Sequence, residues 1–533
     1  MQAARPRSDH GVPPWWRRRF FLLAMIALAA VPFLYPAIPP LIDLPTHIAH
    51  YHVELDLASS PELQRHFTFA WHLIADLGAD LLVVPLAPIF GLETAVKLIV
   101  VATILFTAGA FLWIAREAHQ QVPPTALLAL PLAFNYPLFF GFLNYTLSVA
   151  FALLAFGYWL RLSRRGLLLR RSWIFAFLAP TIWITHMMGW GILGILCFTA
   201  EVVRLRNQST RWPPALGRAL LACLPMAWPV PALLASPPGA PGFVPHYGNE
   251  LILTKMKWVI GIGRDRWPVP DLLFACLFYG FILYAFLHPR PWKRDDTLLS
   301  AGIALSLLFL LFPFTLVGSA FADVRLLPYA IALIILAFRP APTMPAATRA
   351  RWAGLALLAF LVKIAVTTAS TTAYDSSYRK NLTALNHVKR GSTITMMVGH
   401  SCSAISKRWK HSRLDGLPNI ATVRKDSITN FQFTANNAQL LGVKPGYRDG
   451  DPGVPAPVVT TSPGPCPIGW PSLEANLARM DPAKFDYLWL IDVAPEFWPQ
   501  RPWLTPIWQM DRAVLYSVRR IDNVPTKTAL SGN

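Results

Sequence analysis

The stretch WWRRRFFLLAMIALAAVPFLYPAI, residues 15–38, decides the class of fold. Its apolar part, residues 20–38, is close to the length that an α-helix needs to cross the hydrocarbon core of a bilayer. A secretory signal peptide has a shorter apolar centre, with small residues at a cleavage site. Because three arginines precede the run, the pattern predicts an uncleaved spanning helix with its amino end in the cytoplasm.

The composition extends this interpretation to most of the chain. Of the 533 residues, 54% are apolar and 14% are charged, whereas a soluble globular protein has about 25% charged residues. These values exclude a soluble enzyme for most of the chain, and also a disordered or fibrous protein. The net charge of +20 suits cytoplasmic loops, anionic membrane lipids and phosphate-bearing substrates. Because the basic residues are scattered between apolar runs, we expect no nucleic-acid partner.

Ten further apolar runs predict spans, which makes the expected fold class a mainly α, polytopic helical membrane protein with about eleven spans. Four arginine-rich clusters, at 161–171, 204–206, 290–294 and 339–351, fall on the cytoplasmic side if there are eleven spans. An odd number of spans places the carboxyl end outside the cytoplasm. The predicted spans after the first are 93–115, 124–140, 143–161, 172–186, 188–204, 215–235, 270–288, 297–320, 324–340 and 351–371.

The expected organisation is a membrane domain, 1–372, and a small extracytoplasmic α/β domain, 373–533. The membrane domain carries the outer loops 39–72 and 236–268, the second with a flexible Pro/Gly-rich start that can close over a substrate. Within the tail, strands are predicted at 393–398, 419–423, 487–491 and 514–518, and helices at 376–389, 403–412 and 472–480. This arrangement predicts a multi-pass protein of the cytoplasmic (inner) membrane.

Cys402 and Cys466 lie in the polar tail. They can form a disulfide if the tail lies in an oxidising compartment. The sequence cannot show how far apart they are, so it leaves both states open.

The first outer loop carries the most informative motif, PPLIDLPTHIAHYHVE at 39–54. A helix that begins near Pro45 places His47, either His50 or Tyr51, and Glu54 on one face. Asp43 lies just ahead of that helix, where a carboxylate can act as a general base or hold a metal. The alternatives are helix capping for Asp43 and surface packing for the histidines. We predict catalytic roles for Asp43, His47 and His50; a divalent metal stays open, with no ligand set assigned.

Polar side chains at other outer turns are candidates for binding a substrate. The predicted set is Asn144, His186, Arg264, Arg266, Asp323 and Arg325. The Asn144 amide can orient a sugar hydroxyl, and a guanidinium such as that of Arg325 binds phosphate in bidentate fashion. The alternatives are packing in an interfacial aromatic belt for Asn144, a water-accessible turn for His186, and a solvated basic face for the two loop arginines. For Arg325 the alternative is an ion pair with Asp323, or snorkelling.

The sequence has no GxxxxGK[ST] loop, HExxH, GxSxG or CxxC motif. In the absence of these motifs, the polar residues of the predicted outer loops and turns are the candidates for a catalytic site.

The chain resembles the GT-C superfamily of polytopic glycosyltransferases, in a bacterial branch. Three features carry the resemblance: the Asp43-Leu-Pro45-Thr-His47 start of the first outer loop, the aromatic Gly141-Phe-Leu-Asn144 turn between spans, and the soluble carboxyl-terminal domain. The resemblance implies transfer of a sugar from a polyprenyl-phosphate donor to an acceptor glycan, lipid or protein.

The resemblance also implies roles for individual residues. Asp43 takes the place of the family's first-loop acid, which is the catalytic base or binds an essential metal. Arg325, with Arg264 or Arg266, would hold the lipid phosphate. Many members have a paired acid in this loop, whereas this chain has one acid followed by histidines, so metal dependence does not transfer. Two other interpretations stay open: a non-catalytic membrane assembly or scaffold protein, and a transporter of a lipid-linked glycan.

Overall fold

The computed structural model describes residues 13–231, 247, 251–316, 320–400, 402, 409–410, 412–434, 439–448, 450–461, 466 and 469–520. The described chain is mainly helical, and a sheet lies in its carboxyl-terminal part. Four predictions fall partly or wholly elsewhere. The Pro/Gly-rich start of the loop 236–268, most of the helix 403–412, and parts of the predicted spans 215–235 and 297–320 lie outside the described residues.

The helices follow one another along the chain with short connections. Those of the first half are α1 (Arg19–Leu28), α2 (Val31–Leu34), α3 (Leu44–Asp56), α4 (Pro61–His66), α5 (Gly78–Phe90), α6 (Leu92–His119), α7 (Tyr136–Phe140), α8 (Leu143–Arg164), α9 (Leu168–Thr185), α10 (Met187–Asn207) and α11 (Trp212–Cys223). Those of the second half are α12 (Leu251–Ile260), α13 (Pro268–Leu287), α14 (Asp296–Leu311), α15 (Leu327–Ala337), α16 (Ala346–Leu382), α17 (Ile420–Lys425) and α18 (Leu473–Arg479).

Five described helices are long and apolar enough to cross a membrane, which is fewer than the eleven spans predicted. They are Leu92–His119, Leu143–Arg164, Met187–Asn207, Pro268–Leu287 and Ala346–His387, the last being α16 with the 3-10 turn that follows it. Four shorter apolar helices fall on predicted spans and account for much of the difference: Arg19–Leu28, Pro124–Phe140, Asp296–Leu311 and Leu327–Ala337. A fifth, Gly78–Phe90, lies outside the predicted spans.

Proline explains two of the corrections. The predicted first span is broken, because α1 ends at Leu28 and α2 is a single turn that contains Pro32. The predicted span 124–140 is a 3-10 helix, Pro124–Ala133, followed by the short α7. Pro131 lies inside that 3-10 helix. Each proline lacks a backbone N–H and crowds the preceding turn, which disfavours a regular α-helix at that position. Helices α5 and α9 do continue through Pro85, Pro88 and Pro180.

The long helices approach one another closely where small residues lie between them. A Cβ on Gly157 of α8 would lie 1.9 Å from the Trp113 ring of α6. A Cβ on Gly189 of α10 would lie 2.2 Å from the Ser148 hydroxyl of α8. Close packing through small residues is typical of apolar helices whose surroundings are also apolar.

The carboxyl-terminal sheet is mixed, and β4 is the strand with the most partners. Its strand order is β5-β4-β8-β10-β9, and β7 also pairs with β4. The partners β5, β7 and β8 are parallel to β4, whereas β10 is antiparallel to both β8 and β9. The strands of the chain are β1 (Phe67–Phe69), β2 (Trp292–Arg294), β3 (Phe338–Pro340), β4 (Thr393–His400), β5 (Ile428–Thr429), β6 (Leu441–Val443), β7 (Val458–Thr460), β8 (Tyr487–Ile491), β9 (Leu504–Met510) and β10 (Ala513–Val518).

Three of the four predicted strands of the tail are confirmed: 393–398 in β4, 487–491 in β8 and 514–518 in β10. The predicted strand 419–423 is wrong, because this segment forms the end of a 3-10 turn and most of α17. Its apolar residues are too few to distinguish a strand from a helix by periodicity. The predicted helix 472–480 is α18, and the predicted helix 376–389 is the end of α16 followed by the 3-10 turn.

The first outer loop and the carboxyl-terminal region form one packed unit. Strand β1 of the loop pairs antiparallel with β6 of the tail. The Asn419 amide donates to the Thr46 hydroxyl at 2.7 Å, and His52 bonds Asp426 at 2.7 Å. Helix α16 runs without a break across the predicted domain boundary at 372/373. The sheet region is therefore joined to the helices both by a continuous helix and by side-chain contacts.

Arg413 connects four parts of the chain at one buried point. Its guanidinium forms an ion pair with Asp265, and the two side chains are 2% and 0% exposed. It also donates to the Pro40 carbonyl at 3.0 Å and lies 4.6 Å from the Phe139 ring and 4.4 Å from the Tyr374 ring. Asp265 follows α12, Pro40 opens the first loop, Phe139 is in α7 and Tyr374 is in α16.

We expect Arg413→Met to lower the apparent free energy of unfolding by about 3–5 kcal/mol, because it leaves a carboxylate buried without its cation. Denaturant unfolding followed by tryptophan fluorescence measures the loss. Replacing Asp265 as well, with Leu, should cost less than the two single changes added together. The control is Arg512→Met, which removes an exposed pair with Asp492 and should cost less than about 1 kcal/mol. Strictly additive losses would contradict the buried-pair interpretation.

Candidate active site

Asp43 occupies the N-cap position of α3, yet its carboxylate makes no capping hydrogen bond. Its backbone is held instead: the Asp43 N–H donates to the Phe140 carbonyl at 2.8 Å. Gly141 follows with a φ of +88°, and a Cβ there would lie 3.0 Å from the Asp43 nitrogen. Glycine is needed at this turn because of both its positive φ and this close approach. The aromatic turn therefore positions Asp43 and leaves its carboxylate available.

The surroundings of Asp43 tune it toward proton transfer near neutral pH. The side chain is only partly exposed, and burial raises the pKa of Asp43 to about 7. The Asp415 carboxylate raises this pKa further, whereas the Arg325 guanidinium acts to lower it. A general base is most effective when its pKa lies near the working pH. Asp43 has that property.

Arg325 is buried, with 5% of its surface exposed. Its guanidinium carbon lies 4.2 Å from the centre of the Phe142 ring and 5.2 Å from that of Tyr145. The negative charges of Asp43 and Asp76 both stabilise the positive charge of this guanidinium. The predicted base and the predicted phosphate ligand are therefore close enough for their charges to act on one another.

Asp323 has a different partner from the one that the sequence suggested as an alternative. Its carboxylate accepts from the Lys255 ammonium at 2.7 Å, and both groups are buried. Lys255 lies on α12 and also donates to the Phe309 and Phe312 carbonyls at the end of α14. Asp323 thus helps to hold α12 against α14, and its predicted role in substrate binding stays a prediction.

His186 and Asn144 lie at the ends of neighbouring helices. The His186 ring accepts from the Met188 N–H at 3.1 Å, which caps α10, and lies 4.0 Å from the Asp76 carboxylate. The Asn144 amide accepts from the Ala79 N–H at 2.5 Å and donates to the Asp76 carbonyl at 2.7 Å. Asn144 therefore fixes the start of α5 and, with it, the position of Asp76.

The two loop arginines contact Trp409 of the carboxyl-terminal part of the chain and Tyr374 of α16. Arg264 donates to the Trp409 carbonyl at 2.6 Å. Arg266 lies 4.6 Å from the centre of the Tyr374 ring. These contacts place both residues beside the ion pair of Asp265 with Arg413, and their predicted role in holding a phosphate stays a prediction.

The two histidines of α3 predicted to be catalytic, His47 and His50, lie in different environments. The His47 ring packs 5.1 Å from the Phe433 ring, and burial lowers the pKa of His47 to about 4, with the nearby His50 contributing. The His50 Nε2 lies 2.9 Å from the Asp80 Oδ1. Burial, together with the Asp80 carboxylate, raises the pKa of Glu54 to about 9. His50, Glu54 and Asp80 each offer a ligand atom, and these atoms lie within 4.8 Å of one another.

Sequence reasoning missed the acidic residues that complete the site. Asp80 lies in the first turn of α5 and Asp76 lies two residues before that helix, so their closeness in the sequence was the signal that could have been noticed. Asp415 carried no such signal, because it lies about 370 residues from Asp43 in the sequence. Its carboxylate bonds the His400 ring at 2.8 Å. Burial lowers the pKa of His400, but the Asp415 carboxylate raises it more, so that the net shift is upward.

Comparison with models of known protein families finds no match, and comparison with curated protein sequences finds none either. The site is therefore interpreted from its own geometry.

We expect Glu54→Gln to raise the thermal unfolding midpoint at pH 8, in buffer that contains a chelator, and to change it much less at pH 5. The folded protein holds the Glu54 proton up to a pKa of about 9, whereas the ordinary value is 4.5. Stability is therefore lost as the pH rises between these two values, and an amide removes that loss. Thermal scans at both pH values measure the difference.

The matched control is Asp56→Asn, since Asp56 lies on the same helix and its side chain is 49% exposed. It should show no comparable gain at pH 8. If Glu54→Gln were equally stabilising at pH 5 and pH 8, the raised pKa of Glu54 would be disproved.

Proposed function

We propose that this protein is a membrane glycosyltransferase of the GT-C type. It moves a sugar from a polyprenyl-phosphate donor to an acceptor glycan, lipid or protein on the outer face of the cytoplasmic membrane. The observation that carries the proposal is that Asp43 and Arg325 are close enough for their charges to act on one another. The Asp43 carboxylate makes no helix-capping hydrogen bond, and its pKa is raised to about 7. The positive charge of the Arg325 guanidinium acts to lower that pKa. Sugar transfer from a lipid phosphate needs both a base for the acceptor and a cation for the leaving group.

The length of α8 supports the proposed position of the site relative to the membrane. Asn144 lies at its start, beside the candidate site, and Arg164 lies at its end. Twenty residues of α-helix rise about 30 Å, which matches the hydrocarbon thickness of a bilayer. At the far end Arg161, Arg164 and Arg165 line a cavity with Arg116 of α6. Such a basic cluster favours the cytoplasmic side, which supports a position of the site at the outer boundary.

The disulfide supports the same orientation. Cys402 and Cys466 are joined, with their Cα atoms 5.6 Å apart. Disulfides persist in oxidising compartments such as the periplasm and are rare in the cytosol. The carboxyl-terminal region, which packs on the first outer loop, is accordingly assigned to the outer side.

The exterior of α13 supports insertion into a lipid phase. Only a third of its most apolar 18-residue window is buried inside the protein. A helix that exposes this much apolar surface is unusual in a soluble monomer and suits contact with acyl chains. Its large exposed residues are Val269, Leu272, Leu273, Leu283, Tyr284, Phe286 and Leu287.

In the proposed reaction, the donor's lipid tail lies among the helices and its phosphate approaches Arg325. The acceptor hydroxyl oxygen attacks the anomeric carbon of the sugar while Asp43 takes the hydroxyl proton. The bond from the anomeric carbon to the phosphate oxygen breaks, and the electron pair leaves with the polyprenyl phosphate. The Arg325 guanidinium stabilises the charge that develops on that phosphate, which is the usual way in which a buried cation lowers such a barrier.

We expect Asp43→Asn to lower turnover by about 10²–10⁴-fold, because the amide cannot take a proton. The assay follows conversion of a radiolabelled polyprenyl-phosphate hexose to polyprenyl phosphate, with protein in nanodiscs and a cell-envelope extract as the source of acceptor. Asp56→Asn is the matched control on the same helix and should retain activity. Unchanged turnover of a folded Asp43→Asn variant would reject the proposed function.

The pH profile of the wild-type protein should rise through a pKa near 7 and then level off, since the active form of Asp43 is deprotonated. Asp415→Asn should move this limb to lower pH, because it removes the like charge that raises the Asp43 pKa. Initial rates between pH 5 and pH 9 measure the shift. A limb that stays in place, or that moves to higher pH, would rule out Asp43 as the titrating base.

A further inference from the structure

Three side chains from α3 and α5 lie close to one another. His50 and Glu54 are one turn apart on α3, and Asp80 lies in the first turn of α5. The His50 Nε2 and Asp80 Oδ1 are 2.9 Å apart, and one ligand atom from each of the three residues lies within 4.8 Å of the others. His50 and Asp80 are 4% and 3% exposed.

The cluster contains two carboxyl groups, and one of them has no hydrogen-bond partner among the described residues. Both carboxylate oxygens of Glu54 are buried, and neither has a hydrogen-bond partner among the described residues. Buried carboxylates are ordinarily paired, hydrogen-bonded or bound to a metal. The Asp80 carboxylate lies beside Glu54 and adds like charge rather than compensation. A cation between the two acids would remove this conflict.

The residues around the cluster hold its members in place. The Asn144 amide lies 3.4 Å from the second carboxylate oxygen of Asp80 and fixes the start of α5. The Phe69 ring packs against the His50 ring with the centres 5.7 Å apart. Supporting contacts of this kind orient ligands in metal sites. Helices α3 and α5 thus supply the three side chains, and strand β1 packs against them.

We propose that His50, Glu54 and Asp80 form a binding site for a divalent transition-metal ion, of which Zn²⁺ and Mn²⁺ fit best. One imidazole and two carboxylates are a mixed nitrogen and oxygen donor set, whereas Mg²⁺ and Ca²⁺ prefer oxygen ligands alone. Three protein ligands also leave a coordination position open, as catalytic sites do. The site is distinct from Asp43 and does not depend on the proposed transferase activity.

The spacing of the donors suits such an ion after a small adjustment. Bonds of about 2.0–2.2 Å in tetrahedral geometry place the donor atoms roughly 3.3 Å apart. The contact of His50 with Asp80 is a few tenths of an ångström shorter than this, and the 4.8 Å limit of the cluster is longer. A rotation of the Glu54 side chain and a slight opening between α3 and α5 would bring all three donors to one ion.

The test uses the full chain, purified in nanodiscs, stripped with a chelator and then dialysed. Zn²⁺, Mn²⁺, Mg²⁺ and Ca²⁺ are added separately, the bound metal is counted by elemental analysis, and the thermal midpoint is recorded. The wild-type protein should bind one Zn²⁺ or Mn²⁺ per chain and gain stability, with little response to Mg²⁺ or Ca²⁺. Neither readout requires a sugar donor, so a failed transferase assay leaves the result intact.

Glu54→Gln should weaken binding by more than about 100-fold, since changes even in the residues around metal ligands cost 10–100-fold. The variant should still fold, because an amide has nearly the shape of the protonated carboxyl group that the metal-free protein holds at neutral pH. Asp80→Asn is the second ligand variant, and Asp56→Asn is the matched carboxylate control that should bind like wild type. The proposal is overturned if the stripped wild type takes up no metal, or if Glu54→Gln and Asp80→Asn bind it as tightly as Asp56→Asn does.

Discussion

The buried ion pair between Arg413 and Asp265 is the constraint on which the arrangement of this protein depends. A guanidinium and a carboxylate removed from water are tolerable only when they meet in good geometry. That requirement fixes the segment after α12 against the carboxyl-terminal region. The same guanidinium bonds the Pro40 carbonyl and lies on the Phe139 ring. The first outer loop, the aromatic turn and the sheet region are therefore located by one side chain.

The candidate site follows from that arrangement. Asp43 is held by the backbone of the aromatic turn, and Asp415 comes from the segment just after Arg413. Their like charges, in a poorly solvated setting, raise the pKa of Asp43, while Arg325 limits the rise. Groups whose charges act on one another in this way are typical of functional sites. The carboxyl-terminal region is thus part of the site, because it supplies one of the charges that tune the proposed base.

Local patterns predicted the fold where a pattern has one physical interpretation. Long apolar runs became helices such as α6 and α13, and the β-branched and aromatic run 487–491 became β8. The failures came where local rules compete. Proline interrupts two predicted spans, and the short apolar segment 419–423 becomes helical because it packs beside α3. A few apolar residues cannot select between strand and helix without that neighbour.

What the sequence determined by itself is the apolar helical class, the position of Asp43 ahead of α3 and the face shared by His50 and Glu54, since all of these depend on composition or on a spacing within one element. Only the tertiary structure decided that Asp80 joins that face, that Asp415 reaches Asp43, and that Lys255 is the partner of Asp323. These pairs are separated by 26 to about 370 residues. Their energies arise from burial and charge at short distance, and short distance between remote residues is created only when the helices and the sheet pack together.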